Sequence, residues 1–294
     1  MKFKKLAIIV LAIIMVLTFT GCGEAKFMST KEVNQLTTKY GKTPQMQMTV
    51  EYQRGDDFVQ LELTYNLLLE KAPITVVNFI NLVNDGYYNP VTADGNVKHM
   101  IFDSRISSST NAWIAGRYTI TEEEGKINTG KGTYEVATEL DYTIKGESVQ
   151  NGWVLPAEEG SDATDGNAKL DMFSLAMYHV NTEDNFDNAS AAFFLTVDSD
   201  QKENYKNYAV FAHLASVKVI VNDTVLQAGS NKVPASIYDD FASMAGTTSR
   251  KVKLDADGNT ETRSMFATTI RIAEVKMLGT ADYSTLPRDY VIQK

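Results

Sequence analysis

Three histidines, one cysteine and a few short acidic runs are the side chains here that could hold a metal or attack a substrate. His99, His179 and His213 stand far apart, with no second histidine or cysteine at the short offsets that bring two ligands to one ion. Asp255-Ala-Asp-Gly-Asn259 begins like a calcium loop but lacks the later ligands, and it separates two strand-like runs, which makes it a hairpin turn. No Gly-x-Ser-x-Gly occurs, so no serine has the sharp turn that exposes a hydrolase nucleophile. We expect no metal and no cofactor.

The most legible positioning elements lie between Leu61 and Tyr88. From Phe58 to Tyr65, apolar and polar side chains alternate, with Val59, Leu61, Leu63 and Tyr65 on one parity, which predicts a strand with one buried face. Gln45 to Tyr52 reads as its partner across a turn at Arg54-Gly55-Asp56-Asp57. Ala72-Pro73 then opens a helix, since proline at the first helical position gives up an N–H that has no partner there anyway. Val76, Phe79, Ile80 and Val83 give that helix an apolar face, and Asp85-Gly86 closes it. A second amphipathic helix is expected over Pro234 to Met244, with Ile237, Phe241 and Met244 inward, and a closing strand over Thr268 to Val275.

The run Ala72-Pro73-Ile74-Thr75-Val76-Val77-Asn78-Phe79, followed by Gly86-Tyr87-Tyr88, resembles the opening of the cyclophilin-type peptidyl-prolyl isomerases. Five further blocks follow in the family's order. Met100 to Ile106 and Asn111 to Gly116 stand where the family has Phe-His-Arg-Val-Ile and Met-Ile-Gln-Gly-Gly. Phe173 to Met177 and Ala189 to Thr196 resemble Gly-x-Leu-Ser-Met-Ala-Asn and Gly-Ser-Gln-Phe-Phe-Ile-Thr, and Asn207 to Ala212 resembles Lys-His/Tyr-x-Val-Phe-Gly. The resemblance spans about residues 45–279 and implies a mostly β fold, a closed antiparallel barrel capped by two α-helices. An acidic, Gly-rich insertion occupies 121–171, in which Thr138-Glu-Leu140 faintly resembles a family strand and Glu158 to Asn167 reads as a mobile loop. Residues 280–294 read as a C-terminal tail.

Isomerisation of an Xaa-Pro bond needs neither nucleophile nor metal, only relief of the amide resonance behind a barrier of about 18–20 kcal/mol. The family's arginine donates toward the prolyl nitrogen, and the resemblance implies that Arg105 has this role, with Arg117 the next guanidinium to test. It places Phe102, Trp113, Ala115, Tyr178, Ala192, Phe194 and Tyr208 around the bound peptide. The sequence departs from the pattern at three of these positions: Ala115 and Ala192 replace glutamines, and Tyr178 replaces a small alanine. Arg105 also stands three residues after Phe102 instead of two.

The chain begins Met1-Lys-Phe-Lys-Lys and runs apolar from Leu6 to Leu17 before Thr-Gly-Cys22, so residues 1–22 have the parts of a secretory signal. Cys22 is the only cysteine and resembles a lipobox cysteine, which implies a lipid anchor in a bacterial cell membrane and an extracytoplasmic domain. Residues 23–44 read as a polar tether, although Ser29-Thr-Lys-Glu32 could cap a short helix. With Lys2, Lys4 and Lys5 removed, 25 basic residues face 37 acidic ones, a balance that excludes the phosphate neutralisation nucleic-acid binding requires. Proline-containing polypeptides are the expected partners. The alternatives are a catalytically weak or inactive peptide-binding chaperone or scaffold of the same fold, and a solute-binding lipoprotein, which would need alternating strands and helices in two lobes.

Overall fold

The computed structural model describes residues 26–91, 98–107, 111–122, 131–155, 164–165, 170–180, 186–197 and 207–294. Eight strands form the barrel: β1 (Gln45–Arg54), β2 (Asp57–Leu67), β3 (His99–Arg105), β4 (Ala112–Glu122), β5 (Leu175–Met177), β6 (Phe193–Thr196), β7 (Val210–Val221) and β8 (Ile270–Met277). Around the barrel they run β6, β5, β7, β2, β1, β8, β3, β4, and β4 pairs back with β6. Every one of these pairings is antiparallel. The alternation read from the sequence holds, because Val59, Leu61, Leu63 and Tyr65 of β2 all point into the core. A two-lobed solute-binding architecture is thereby excluded.

Among the described residues three α-helices accompany the barrel: α1 (Thr30–Tyr40), α2 (Pro73–Asn84) and α3 (Ala235–Ser243). Phe79 of α2 enters the core, with ring centroids 5.0 Å from Phe211 and 6.0 Å from Phe193. At the far end of β1, Phe241 of α3 packs 4.9 Å from Trp113 and 5.9 Å from Tyr52, whose hydroxyl donates to Asp240 at 2.7 Å. No helix among the described residues is long and apolar enough to cross a membrane.

Two segments expected to be peripheral belong to the domain. The capping box of Ser29 and Glu32 forms, and α1 buries Val33 and Tyr40, so the chain from Met28 onward is packed and not a loose tether. The C-terminal tail holds α1 and α2 from outside. Tyr283 stacks on Tyr40 at 5.4 Å, Tyr290 donates to Glu32 at 2.7 Å, Asn81 donates to the Pro287 carbonyl at 3.0 Å, and Arg288 grips Asp85. This is why α2 is buried on all sides from Pro73 to Val83, where its sequence predicts a single apolar face.

The described part of the insertion is also structured. Gly132–Val136 extends the sheet beyond β4, Tyr142–Thr143 pairs with Ile292–Gln293 of the tail, and Val154–Leu155 pairs with Thr164–Asp165. Most of the loop Glu158 to Asn167 lies outside the described residues. Asp255 to Asn259 forms the expected turn between Thr247–Lys253 and Thr260–Phe266, its Asp255 carboxylate accepting from the Asn259 backbone at 3.1 Å.

One core group is out of balance with its surroundings. The Tyr65 hydroxyl is fully buried and has no hydrogen-bond partner among the described residues. Tyr65→Phe removes an uncompensated polar atom without changing shape, so urea denaturation should show stability unchanged or raised by up to about 1 kcal/mol. A loss of similar size would mean that the hydroxyl is satisfied.

Candidate active site

The pairing of β6 with β4 decides which of the two adjacent phenylalanines faces outward. Paired residues share a face of the sheet. Phe193 pairs with Ala115 and Leu195 with Trp113, and all four lie in the barrel interior together with Phe102. Phe194 pairs with Ile114 on the opposite face, where a second apolar cluster collects Ala112, Ile114, Ala176, Val210, Leu170 and Tyr208. Tyr208 meets Phe194 edge to face at 5.0 Å, and Tyr178 packs at the margin. Of the residues the resemblance placed around the peptide, the structure brings together Phe194, Tyr178 and Tyr208. Phe102, Trp113 and Ala115 do not line that face, because the two-residue period of β3 and β4 turns them inward.

Arg105 follows a register shift between Phe102 and Ser104 in β3. It pairs with Trp113, while Ser104 pairs with Ile114, so Arg105 takes the Trp113 side at the end of β3 and does not stand beside Phe194. Phe194 and Trp113 lie on opposite faces of one sheet, so no single guanidinium could flank both. Arg105 is half-buried and has no hydrogen-bond or ion-pair partner among the described residues.

Arg117 is the guanidinium on the Phe194 side. Between the pairs Met100 with Thr119 and Phe102 with Ala115, β4 carries extra residues, and this bulge pushes Gly116 and Arg117 out of the regular ladder. Gly116 has φ +86°, and a Cβ there would lie 2.8 Å from the Ala191 carbonyl oxygen, so only glycine fits the bend. Arg117 donates through Nε to Asp103 at 3.2 Å, through Nη2 to the second Asp103 oxygen, and through Nη2 to Ser104 Oγ at 2.7 Å. Its guanidinium carbon lies 5.2 Å from the Tyr178 ring centre. Asp103 is only 2% exposed. Burial raises its carboxyl above the ordinary range while the Arg117 charge pulls it back. Burial works against the Arg117 charge as well, but Asp103 outweighs it and holds the guanidinium firmly cationic. Nη1 has no partner among the described residues, which leaves two N–H donors uncommitted.

The remaining side chains hold the margin. Tyr178 N–H donates to the Ala192 carbonyl at 2.9 Å, tying the half-buried Ala192 to β5. His179 lies 4.6 Å from Tyr208, with Nε2 2.9 Å from the Asn207 carbonyl oxygen, a structural role consistent with its burial. No cluster of metal-ligating side chains exists among the described residues. Cys22 lies outside them.

A signal for Arg117 was present in the sequence. Asp103 is a lone carboxylate inside the apolar run Met100-Ile-Phe-Asp, and a buried carboxylate needs a cation. The bulge that supplies that cation cannot be seen without the strand register.

The family model for cyclophilin type peptidyl-prolyl cis-trans isomerase/CLD matches residues 49–237, more than half of the chain. The chain belongs to this family. Among solved structures, the cyclophilin type peptidyl-prolyl cis-trans isomerase of Cryptosporidium parvum is similar at 15% identity, covering 81% of this chain and 99% of that one with a TM-score of 0.41. The same protein in the presence of the dipeptide Ala-Pro matches at 16% identity over 80% of this chain and 99% of that one, with a TM-score of 0.39. Among curated proteins none matches. As a cyclophilin-type isomerase, the chain has its apolar platform and its fixed cation on the outer wall of the barrel, whose interior is filled with side chains.

Proposed function

We propose that the outer face of β4, β5 and β6 is where this cyclophilin-type isomerase acts, on Xaa-Pro bonds of polypeptides outside the cytoplasm. Phe194, Ile114 and Tyr208 supply apolar contact for the prolyl ring, and Arg117 donates from Nη1 toward the prolyl nitrogen. A twisted amide has a pyramidal, basic nitrogen that a planar amide lacks, so such a donor binds the transition state better than either ground state. The observation that carries this reading is the Arg117 guanidinium, fixed by Asp103 and Ser104 beside the Phe194 cluster with Nη1 uncommitted.

Phe194 is fully covered and Tyr208 nearly so, which means a proline ring must displace Tyr208 or Leu170 to reach the floor. That displacement, with no glutamine at Ala192 to hold the peptide, makes activity modest. It also favours the second reading, a peptide-binding scaffold of the same fold. Relaxation of a short Ala-Pro peptide separates the two. Uncatalysed exchange takes tens to hundreds of seconds, and micromolar protein should shorten it visibly. Binding of the peptide without acceleration would select the scaffold.

The extracytoplasmic setting rests on the signal-like start and on Cys22. Cys22→Ser should abolish acylation and release the protein from the membrane fraction, because attachment needs the thiol. Unchanged mass and membrane retention in that variant would remove the anchor from this account.

A further inference from the structure

Phe27 is fixed where the described chain begins. Its ring lies 4.9 Å from Trp153, and Lys145 Nζ lies 4.9 Å from its centre. The loop that receives it is held by side-chain hydrogen bonds: Trp153 donates its indole N–H to the Lys71 carbonyl at 2.8 Å, and Asn151 donates to the Gly146 carbonyl and to Asp187. On this loop two apolar side chains nevertheless stand in solvent, Val149 at 40% and Val154 at 44% exposure. Lys26 precedes Phe27 in the chain, and Lys71 supplies the carbonyl that Trp153 binds.

We propose that residues 145–154, with Phe27, form the face this domain turns to a lipid bilayer. The inference rests on the anchored reading of Cys22 and deepens it. Only four residues separate Cys22 from Phe27, and a chain spans at most about 3.3–3.6 Å per residue, so an acylated Cys22 keeps Phe27 within roughly 18 Å of the lipid surface. The side on which the chain leaves the fold must then face the membrane. That side carries the half-buried Phe27 ring, packed on the buried Trp153, together with exposed valines and Lys26, a combination suited to the interface between headgroups and acyl chains. The exposed Val225 and Leu226 of the hairpin after β7 have no such leash beside them. The loop also adjoins the proposed site: Asp187 binds it, the adjacent Phe186 packs 5.8 Å from His179, and His179 packs on Tyr208. Substrate would therefore be met close to the membrane.

The test uses the chain from Cys22 onward, which keeps every residue of the described fold. Its single thiol is coupled to a maleimide lipid in vesicles of phosphatidylethanolamine and phosphatidylglycerol. Hydrogen exchange over residues 145–154 should slow several-fold on coupling, exchange over 222–230 should not change, and Val149→Asp with Val154→Asp should abolish the slowing. Complete coupling with unaltered exchange at 145–154, or slowing confined to 222–230, would overturn the proposal. Because the coupling is chemical, neither result depends on whether a cell acylates Cys22, which Cys22→Ser reads separately.

Discussion

Glu147→Ala is expected to lower stability by about 2 to 5 kcal/mol, although Glu147 belongs to the insertion and not to the barrel. The start of α2 has no capping side chain of its own, since its N-cap is Ala72. Glu147 takes that place from 73 residues away, accepting the Ile74 N–H at 2.9 Å and the Thr75 N–H at 2.8 Å. Truncation leaves both donors buried and unpaired.

The same residue should give a pH signature. Burial pushes the Glu147 carboxyl up to about 7, against the opposing effect of the Thr75 and Ile74 amides. Between about 4.5 and 7 the folded chain keeps a proton that the unfolded chain has released, so this group's stabilisation is present at low pH and lost as pH rises through 7. His99 acts in the opposite direction, because burial first and Arg271 second push its imidazole down to about 4. The difference between wild type and Glu147→Gln therefore isolates the carboxyl. In urea denaturation that difference should shift by roughly 2 to 3 kcal/mol between pH 5 and pH 8, with the wild type relatively weaker at pH 8. An unchanged difference would mean that Glu147 titrates as an ordinary surface carboxylate.

What the sequence disclosed follows the range of the interactions involved. β1, β2, α2 and α3 were legible because their periods, caps and turns are local, as with Pro73 at the start of α2 and Gly86 after its end. The burial of α1 was not, since Val33 and Tyr40 are too sparse to read as a core face, and their partner Tyr283 lies more than 240 residues away. Glu147 was missed for the same reason. At the site, the aromatic pair Phe193-Phe194 could be recognised but not oriented, because its facing depends on the register with β4. The resemblance points to Arg105 ahead of Arg117 because Arg105 lies in the block resembling Phe-His-Arg-Val-Ile, although one residue late after Phe102. Two irregularities decide otherwise: the bulge at Gly116 carries Arg117 to the Phe194 side, and the register shift between Phe102 and Ser104 in β3 leaves Arg105 on the other.

The second large effect is expected at Arg117. Alanine there would strand the buried Asp103 carboxylate, a loss of about 3–5 kcal/mol that confuses folding with catalysis. Arg117→Lys is the cleaner change, because a lysine keeps the charge beside Asp103 but lacks the planar fork that presents Nη1. A hydrogen bond from a charged donor is worth about 1.5–3 kcal/mol, so losing it in the transition state alone should lower kcat/KM about 10- to 150-fold. Arg105→Ala, on the Trp113 side, should leave kcat/KM within a factor of about 2. The most direct test of the account is thus the isomerisation rate of one Ala-Pro peptide by wild type, Arg117→Lys and Arg105→Ala, each checked for an unchanged unfolding midpoint. The outer-face site predicts that Arg117→Lys alone loses the acceleration, whereas full activity in Arg117→Lys with loss in Arg105→Ala would contradict it.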